Sequence, residues 1–185
     1  MSTSYSKLEN WCLDHRKLAT APVFILLLVL AHPTIASLYI GALIVLLGEL
    51  GRTWSSGYID KNAKLATAGP YRFTRNPLYL FNTVIFIGFC VMAYNPWAAV
   101  LGMMAHAVIY HPTMRKEAAH VSGIFGDEYR DWAKVVPMFL PKWTNYPSQG
   151  AYSWALVKQH REHKNAAAML AGVLLFVVIY MVRHG

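Results

Sequence analysis

Acidic residues and cysteines are scarce in this chain. Its 185 residues include 9 Asp and Glu against 17 Lys and Arg, with 2 cysteines. Cys12 and Cys90 are too few and too far apart for a disulfide framework or a metal cluster, so no metal site is predicted. The net charge of +8 comes without a basic run interleaved with stacking aromatics, which argues against nucleic-acid binding.

Charge is missing altogether from three long stretches. No Asp, Glu, Lys or Arg lies between Lys17 and Glu49, between Arg75 and Arg115, or within residues 166–182. A membrane-spanning helix needs roughly 17 to 25 residues of this kind. Together with a hydrophobic content of 56%, these stretches predict an integral membrane protein.

Prolines divide the two longer stretches, because the residue before a proline is pushed out of helical geometry. The breaks fall at His32-Pro33 and Asn95-Pro96. The predicted fold is a single all-α membrane domain, residues 1–185, of about five spans with a cytoplasmic cap of short helices. The predicted spans are about 18–32, 34–50, 77–94, 96–112 and 166–182. The predicted parts are a hairpin (18–50), a loop (51–76), a second hairpin (77–112), a cap (113–165) and a C-terminal span (166–182).

The distribution of Lys and Arg predicts the orientation. Three precede the first span, five lie between Arg52 and Arg75, eight lie between Arg115 and Lys164, and one follows the last span. By the positive-inside rule the N-terminus, the loop and the cap are cytoplasmic, and the C-terminus is outside. The expected location is the bacterial inner membrane, or the endoplasmic reticulum in a eukaryotic cell. The sequence leaves the oligomeric state open between a monomer and a homodimer.

The predicted cap is rich in aromatic residues. Residues 125–136 are predicted to form a short amphipathic helix, followed by an extended, proline-fixed stretch at 137–143. Phe125, Tyr129 and Trp132 are spaced by four and three residues, which puts them on one helical face. That face is expected to lie on the membrane surface or to cap the bundle.

The stretch TAGPYRFTRNPLYL, residues 67–80, combines a turn with a helix start. Gly69-Pro70 indicates a turn. Asn is a favoured N-cap and Pro is favoured at the first helical position, so the third span is predicted to begin at Pro77 with Asn76 as its cap. The free N–H groups of that helix end suit an anionic group.

Two arginines and two tyrosines flank this helix start. Arg72 and Arg75 could bind a carboxylate or phosphate through paired hydrogen bonds. They could equally contact lipid phosphates, with Tyr71 and Tyr79 as interfacial aromatics. The residues alone leave both interpretations open.

Few ionisable residues lie near the ends of the spans. Glu49 and Arg52 could form a structural pair. Glu117, just beyond the fourth span, is a candidate acid, base or cation partner. His106 is expected to form a hydrogen bond inside the bundle, with a proton-relay role as the alternative. A bend is predicted at Pro112.

Two stretches, GYIDKNAKLATAGPYRFTRNPLYL and KEAAHVSGIFGDEYRDWAKVVPMFLP, together resemble the isoprenylcysteine carboxyl methyltransferase and phospholipid methyltransferase family of integral membrane enzymes. The family pattern is Gly-Pro-Tyr, Arg-His-Pro-x-Tyr, a Glu-Glu pair, Phe-Gly-x-x-Tyr and a proline-rich stretch. The likeness runs from about Gly48 to Pro141, with order and spacing intact.

The resemblance implies transfer of a methyl group from S-adenosylmethionine to a lipid-like or prenylated acceptor that enters from the bilayer and carries an amine, carboxylate or thiol. It implies Arg75 and Glu117 as catalytic residues. Glu117 is the candidate base for an amine, and Arg75 or Arg72 is the candidate anchor for a carboxylate or thiolate acceptor. The implied cofactor-binding residues are Gly69, Pro70, Tyr71, Arg75, Asn76, Pro77, Tyr79, Glu117 and Tyr129.

Two positions depart from the family pattern. Asn76 replaces the usual histidine and cannot act as an acid or base, and Ala118 stands in place of the second glutamate. Two alternatives therefore stay beside methyl transfer. One is an NADPH-dependent membrane reductase of the steroid reductase type, and the other is a non-catalytic lipid-binding membrane protein.

Overall fold

The computed structural model describes residues 16–60 and 63–185, and side chains from residue 20 onward within these ranges. These residues form helices and loops, with no strand among them, which confirms the all-helical fold class. Predictions that concern residues 1–15, Cys12 included, lie outside the described residues. The helices are α1 (Arg16–Val29), α2 (Ile35–Ser56), α3 (Pro77–Ala93), α4 (Pro96–Val135), α5 (Trp154–Gln159) and α6 (Glu162–His184), with a 3-10 turn at Gly69–Arg72.

Two of the described helices, α2 and α6, are long and apolar enough to cross a membrane. Thr20–Val29 in α1 and Pro77–Ala93 are shorter apolar helical stretches. The fourth predicted span is the first part of α4, a helix of 40 residues. The apolar helices favour a membrane protein, while the count of five spans and the orientation stay predictions.

Both hairpin turns form where the prolines predict them. Thr34 begins α2 with a capping box, in which the Ser37 backbone N–H donates to Thr34 Oγ1 at 3.1 Å. Asn95 begins α4, where its side-chain oxygen accepts from the backbone N–H of Ala98 at 3.1 Å. The Asn95 amide also donates to the Leu30 carbonyl at 2.9 Å, which ties the second turn to the first.

Helices α2 and α3 pack through glycines. A Cβ added to Gly41 would lie 2.6 Å from the backbone oxygen of Gly88, and one added to Gly88 would lie 2.8 Å from the oxygen of Gly41. Further along α2 in the same interface, a Cβ on Gly48 would lie 2.6 Å from a side-chain carbon of Ile85. Small residues let two apolar helices approach closely, and dispersion contacts then hold them together.

One predicted boundary is wrong: helix α2 continues to Ser56, so the loop predicted at 51–76 begins later. The sequence predicts that residues 117–124 continue helically from the fourth span, and helix α4 does continue past Pro112. The bend at Pro112 and the end of the fourth span near residue 112 stay predictions. A proline inside a helix removes one backbone hydrogen bond, and the residues on both sides of Pro112 stay helical.

Helix α4 changes direction at Gly126, which has φ 55° and ψ −120°. A glycine reaches this conformation without the steric cost that a side chain would add. The break separates the long first part of α4 from a short last part that ends at Val135. The short last part confirms the predicted helix over 125–136.

The glycine contacts predict a large difference between two alanine substitutions. Gly88→Ala places a methyl group against backbone, so we expect the free energy of unfolding to fall by about 1–3 kcal/mol. Gly123 is helical too, but nothing lies within 4 Å of an added Cβ, so Gly123→Ala should melt at or above the wild-type temperature. Thermal melting in detergent measures both, and equal melting of Gly88→Ala and wild type would contradict the packing.

Candidate active site

A cavity of about 240 Å³ lies where the loop before α3 meets the last part of α4. It brings together most of the residues that the sequence predicted as a site. The predicted site residues in its lining are Tyr71, Arg75, Asn76, Pro77, Tyr79, Glu117 and Tyr129. Residues that are more than fifty positions apart in the sequence therefore line one partly open cavity.

Gly69 and Pro70 do not line the cavity, although they were predicted to bind the cofactor. They begin the 3-10 turn that ends at Arg72. Gly69 has φ +58°, and a Cβ there would lie 2.5 Å from the ring of Tyr58. Their part in the structure is to set the turn that buries Tyr71.

A segment that we call the strap, residues 137–144, docks against the stretch before α3. The backbone N–H of Arg75 donates to the Pro137 carbonyl at 2.9 Å, and the N–H of Lys142 donates to the Phe73 carbonyl at 2.9 Å. Residues 138–140 of the strap are bends, so the predicted extended stretch over 137–143 is only partly present. The two bonds fix the backbone of Arg75.

Asn76 takes part in the same docking. Its side-chain amide donates to the Met138 carbonyl at 2.9 Å, and it makes no capping hydrogen bond to α3. The predicted start of α3 at Pro77 is confirmed, but the predicted capping role of Asn76 is wrong. The side-chain nitrogen of Asn76 therefore binds a carbonyl of the strap, and its oxygen makes no hydrogen bond to the N–H groups of α3.

Arg75 carries an available positive charge at the cavity wall. Its Nη1 donates to the Tyr129 hydroxyl at 3.0 Å, and its guanidinium carbon lies 5.8 Å from the centre of that ring. Its Nε is buried and has no hydrogen-bond partner. Among the ion pairs of the described residues none includes Arg75, so its charge is free to face a ligand.

Glu117 lies across the cavity on α4, where Tyr79 orients it. The Tyr79 hydroxyl donates to Glu117 Oε2 at 2.6 Å, and the Tyr79 ring packs edge-on against Tyr110 at 5.4 Å. Ala118 also lines the cavity. The methyl group of Ala118 therefore stands where the family pattern has a second carboxylate. The Glu117 carboxylate keeps its hydrogen bond from the Tyr79 hydroxyl.

Trp132 is a cavity residue that sequence reasoning missed. Together with Tyr129 it is buried, with 3% and 7% of its surface exposed. This aromatic face packs against the loop between α2 and α3, in a cluster with Leu65 and Tyr71, and its position relative to the membrane stays a prediction. The spacing of three from Tyr129 was the available signal, since it puts both rings on the face that carries a predicted site residue.

Three residues that line this cavity each have a buried polar atom without a hydrogen-bond partner. Tyr71 Oη and Trp132 Nε1 are buried with no hydrogen bond, as is the Nε of Arg75. Burial raises the pKa of the Tyr71 hydroxyl above its ordinary value, and the nearby Glu117 carboxylate adds to this effect, so the phenol stays protonated. Buried polar groups in native proteins are nearly always paired, so a bound molecule is the natural partner.

The chemistry of these atoms fits S-adenosylmethionine. An indole N–H and a guanidinium N–H can only donate, so both require an acceptor, and the cofactor's carboxylate is one. Its positive charges suit Glu117 and the aromatic faces of Tyr71 and Tyr79. The ionisable residues Asp60, Lys64 and His120 also line the cavity, and sequence reasoning did not find them.

Two other predicted interactions lie outside this cavity. His106 Nε2 lies 3.0 Å from Thr83 Oγ1, as the predicted hydrogen bond inside the bundle requires. Arg52 Nε lies 3.9 Å from Glu49 Oε2. The stronger partner of Arg52 is Glu162, at 3.1 Å, on a helix that the sequence could not place beside it.

Two curated bacterial proteins are similar to this chain. The nickel-cobalt-cadmium resistance protein NccN of Alcaligenes xylosoxydans xylosoxydans is 29% identical over 151 residues, which is 80% of this chain and 70% of that protein. The cobalt-zinc-cadmium resistance protein CzcN of Cupriavidus metallidurans is 31% identical over 121 residues, which is 64% of this chain and 55% of that protein.

A family model supplies the broader relationship. No solved structure matches the chain at a significant level. The phospholipid methyltransferase model matches residues 24–128, more than half of the chain, from α1 to the last part of α4. The match includes Tyr71, Arg75, Tyr79 and Glu117 of the cavity, and the chain belongs to the phospholipid methyltransferase family.

Proposed function

We propose that this protein transfers the methyl group of S-adenosylmethionine to a lipid-like acceptor at the predicted cytoplasmic face of the membrane. The observation that carries the proposal is the cavity whose lining brings Arg75, which has no ion-pair partner among the described residues, together with Glu117 and Trp132. Membership in a family of membrane methyltransferases supports the same reaction.

S-adenosylmethionine, when bound, supplies an activated methyl group on a positively charged sulfur. The protein's part is to hold the two reactants in contact and to exclude water, which together account for much of the rate gain in such a transfer. Arg75 and Trp132 would hold the cofactor's carboxylate through donated hydrogen bonds. Tyr71 and Tyr79 would offer ring faces to its cation.

The acceptor decides what Glu117 must do. An amine acceptor has to lose a proton, and the Glu117 carboxylate, held by the Tyr79 hydroxyl at 2.6 Å, is the base that the cavity offers. A carboxylate or thiolate acceptor needs no base and would instead need a cation. Arg75, whose charge has no carboxylate partner among the described residues, would then be its anchor.

Ligand-dependent melting separates methyl transfer from the alternatives. The full chain in detergent should melt at a higher temperature with S-adenosylhomocysteine than without, because a ligand that binds the folded state stabilises it, by about 2.7 kcal/mol at a hundredfold excess over Kd. NADPH should give no shift. A shift with NADPH alone would favour the reductase, and no shift with either ligand would favour a non-catalytic lipid-binding protein.

Substitutions at the cavity test the residue assignments. Glu117→Gln should lower kcat for an amine acceptor by about 10²- to 10⁴-fold, the usual contribution of a general base, while the melting shift with S-adenosylhomocysteine persists. Arg75→Ala should weaken that shift, since a hydrogen bond to a charged group contributes roughly 1.5–3 kcal/mol.

Two substitutions at exposed positions of α4, the helix that carries Glu117, serve as matched controls. Glu128 and Arg130 are exposed and do not line the cavity, so Glu128→Gln and Arg130→Ala should keep wild-type turnover and melting. Wild-type turnover in both Glu117→Gln and Arg75→Ala would rule out the proposed site.

The names of the two relatives suggest a physiological setting. Both are called metal-resistance proteins, and we propose that the methylated product contributes to tolerance of such metals in the cell. Cells that lack the protein should then grow less well on cobalt or cadmium, and expression of the wild type, but not of Glu117→Gln, should restore growth. Equal rescue by both would separate metal tolerance from methyl transfer.

A further inference from the structure

The two arginines before α3 have different surroundings in the structure. Arg75 lines the cavity described above, and Arg72 does not. The Arg72 side chain lies against the strap instead. Its Nε donates to the Thr144 carbonyl at 3.4 Å, and its guanidinium carbon lies 5.7 Å from the centre of the Trp143 ring. The sequence left a ligand and a lipid phosphate open as partners for both arginines, and the structure separates the two side chains.

Backbone contacts place a second cation beside Arg72. The Thr144 hydroxyl donates to the Arg72 carbonyl at 2.7 Å, and the Lys142 N–H donates to the Phe73 carbonyl at 2.9 Å. The Lys142 side chain is exposed. Among the ion pairs of the described residues, none includes Arg72 or Lys142. The docked strap therefore carries two positive charges that no carboxylate neutralises within the described part of the chain.

The two stretches that meet at this point contain no acidic residue. No Asp or Glu lies between Asp60 and Glu117, and none lies between Asp131 and Glu162. Basic groups that lack carboxylates beside them create a positive potential, which attracts anions. The charge of this surface therefore favours an anionic partner.

Two large apolar side chains of the strap are exposed beside these cations. Leu140 and Trp143 have 74% and 72% of their surface exposed. The Trp143 ring packs on the Phe73 ring, with 5.2 Å between their centres. Trp is enriched where a membrane meets water, since its ring suits the apolar boundary and its N–H suits the polar side. A small soluble anion would leave Leu140 and Trp143 in water, whereas a lipid surface would cover both.

This surface lies close to the membrane in the chain. Arg72 is five residues before Pro77, where the apolar helix α3 begins. A stretch of five residues reaches at most about 17 Å, so Arg72 stays near the end of the predicted third span. Lys and Arg at such a position attract the anionic lipids of the cytoplasmic leaflet.

We propose that Arg72, Leu140, Lys142 and Trp143 form a surface that docks on anionic phospholipids of the membrane. The two cations bind lipid phosphates, and the two apolar side chains enter the boundary between headgroups and acyl chains. The strap, which fixes the Arg75 backbone, is then held by the membrane as well. This docking does not depend on the proposed methyl transfer.

A fluorescent label at position 140 measures the docking with the full chain in lipid nanodiscs. Leu140→Cys, combined with Cys12→Ser, carries a nitrobenzoxadiazole dye, and the native Cys90 is buried. Emission should rise and shift to shorter wavelength as phosphatidylglycerol replaces phosphatidylcholine, because the dye enters a less polar layer. High salt should reverse part of the change, since it screens exposed charges.

Substitutions of the two cations test their part in the docking. Arg72→Gln and Lys142→Gln should each raise the phosphatidylglycerol content at half of the change about fivefold, which corresponds to about 1 kcal/mol for one basic residue near a membrane. Lys142→Gln covers the case in which Arg72→Gln does not fold, because the Lys142 side chain is exposed. Lys134→Gln is the matched control. It removes an exposed positive charge that already pairs with Asp131 at 2.7 Å, so the wild-type response should persist.

Three results would overturn the docking. The first is equal emission in nanodiscs with and without phosphatidylglycerol, and the second is a wild-type response in both Arg72→Gln and Lys142→Gln. The third is the same emission change when glycerol 3-phosphate is added to phosphatidylcholine nanodiscs, which would indicate a site for a small soluble anion. A missing melting shift with S-adenosylhomocysteine, by contrast, would contradict methyl transfer and leave the docking in place.

Discussion

The docking of the strap on the stretch before α3 is the constraint on which the cavity depends. The stretch alone is a turn followed by a helix start, and nothing local directs the Arg75 side chain. The bond from the Arg75 N–H to Pro137 fixes its backbone, and the same chain segment follows the part of α4 that carries Tyr129 and Trp132. One set of backbone hydrogen bonds therefore brings a cation and two aromatic side chains to the same space.

The local features of the fold could be predicted from the sequence. Proline is favoured at the first position of a helix, and the structure begins α3 and α4 at Pro77 and Pro96. Site residues such as Arg75 and Glu117 could be named because each stands in a motif. Their common cavity follows from the helical hairpin between them, which the same prolines define.

Contacts between residues that lie far apart in the sequence could not be predicted. Local rules place the Asn76 side-chain oxygen on the N–H groups of α3, but the bond that the structure has runs from the side-chain nitrogen to the carbonyl of Met138, 62 residues away. Trp132 has the amphiphilic character of an interfacial residue, and only the change of direction at Gly126, together with the strap, turns it inward. Glu162 and Arg52 are separated by 110 residues, so no spacing rule connects them.

That separation has a consequence for how the protein is made. Arg52 precedes Glu162 in the chain, so the two hairpins alone lack the carboxylate that pairs with Arg52 at 3.1 Å. A cation without its counter-charge beside apolar helices is unfavourable. The bundle therefore gains this part of its stability late in synthesis, when α6 packs against α2.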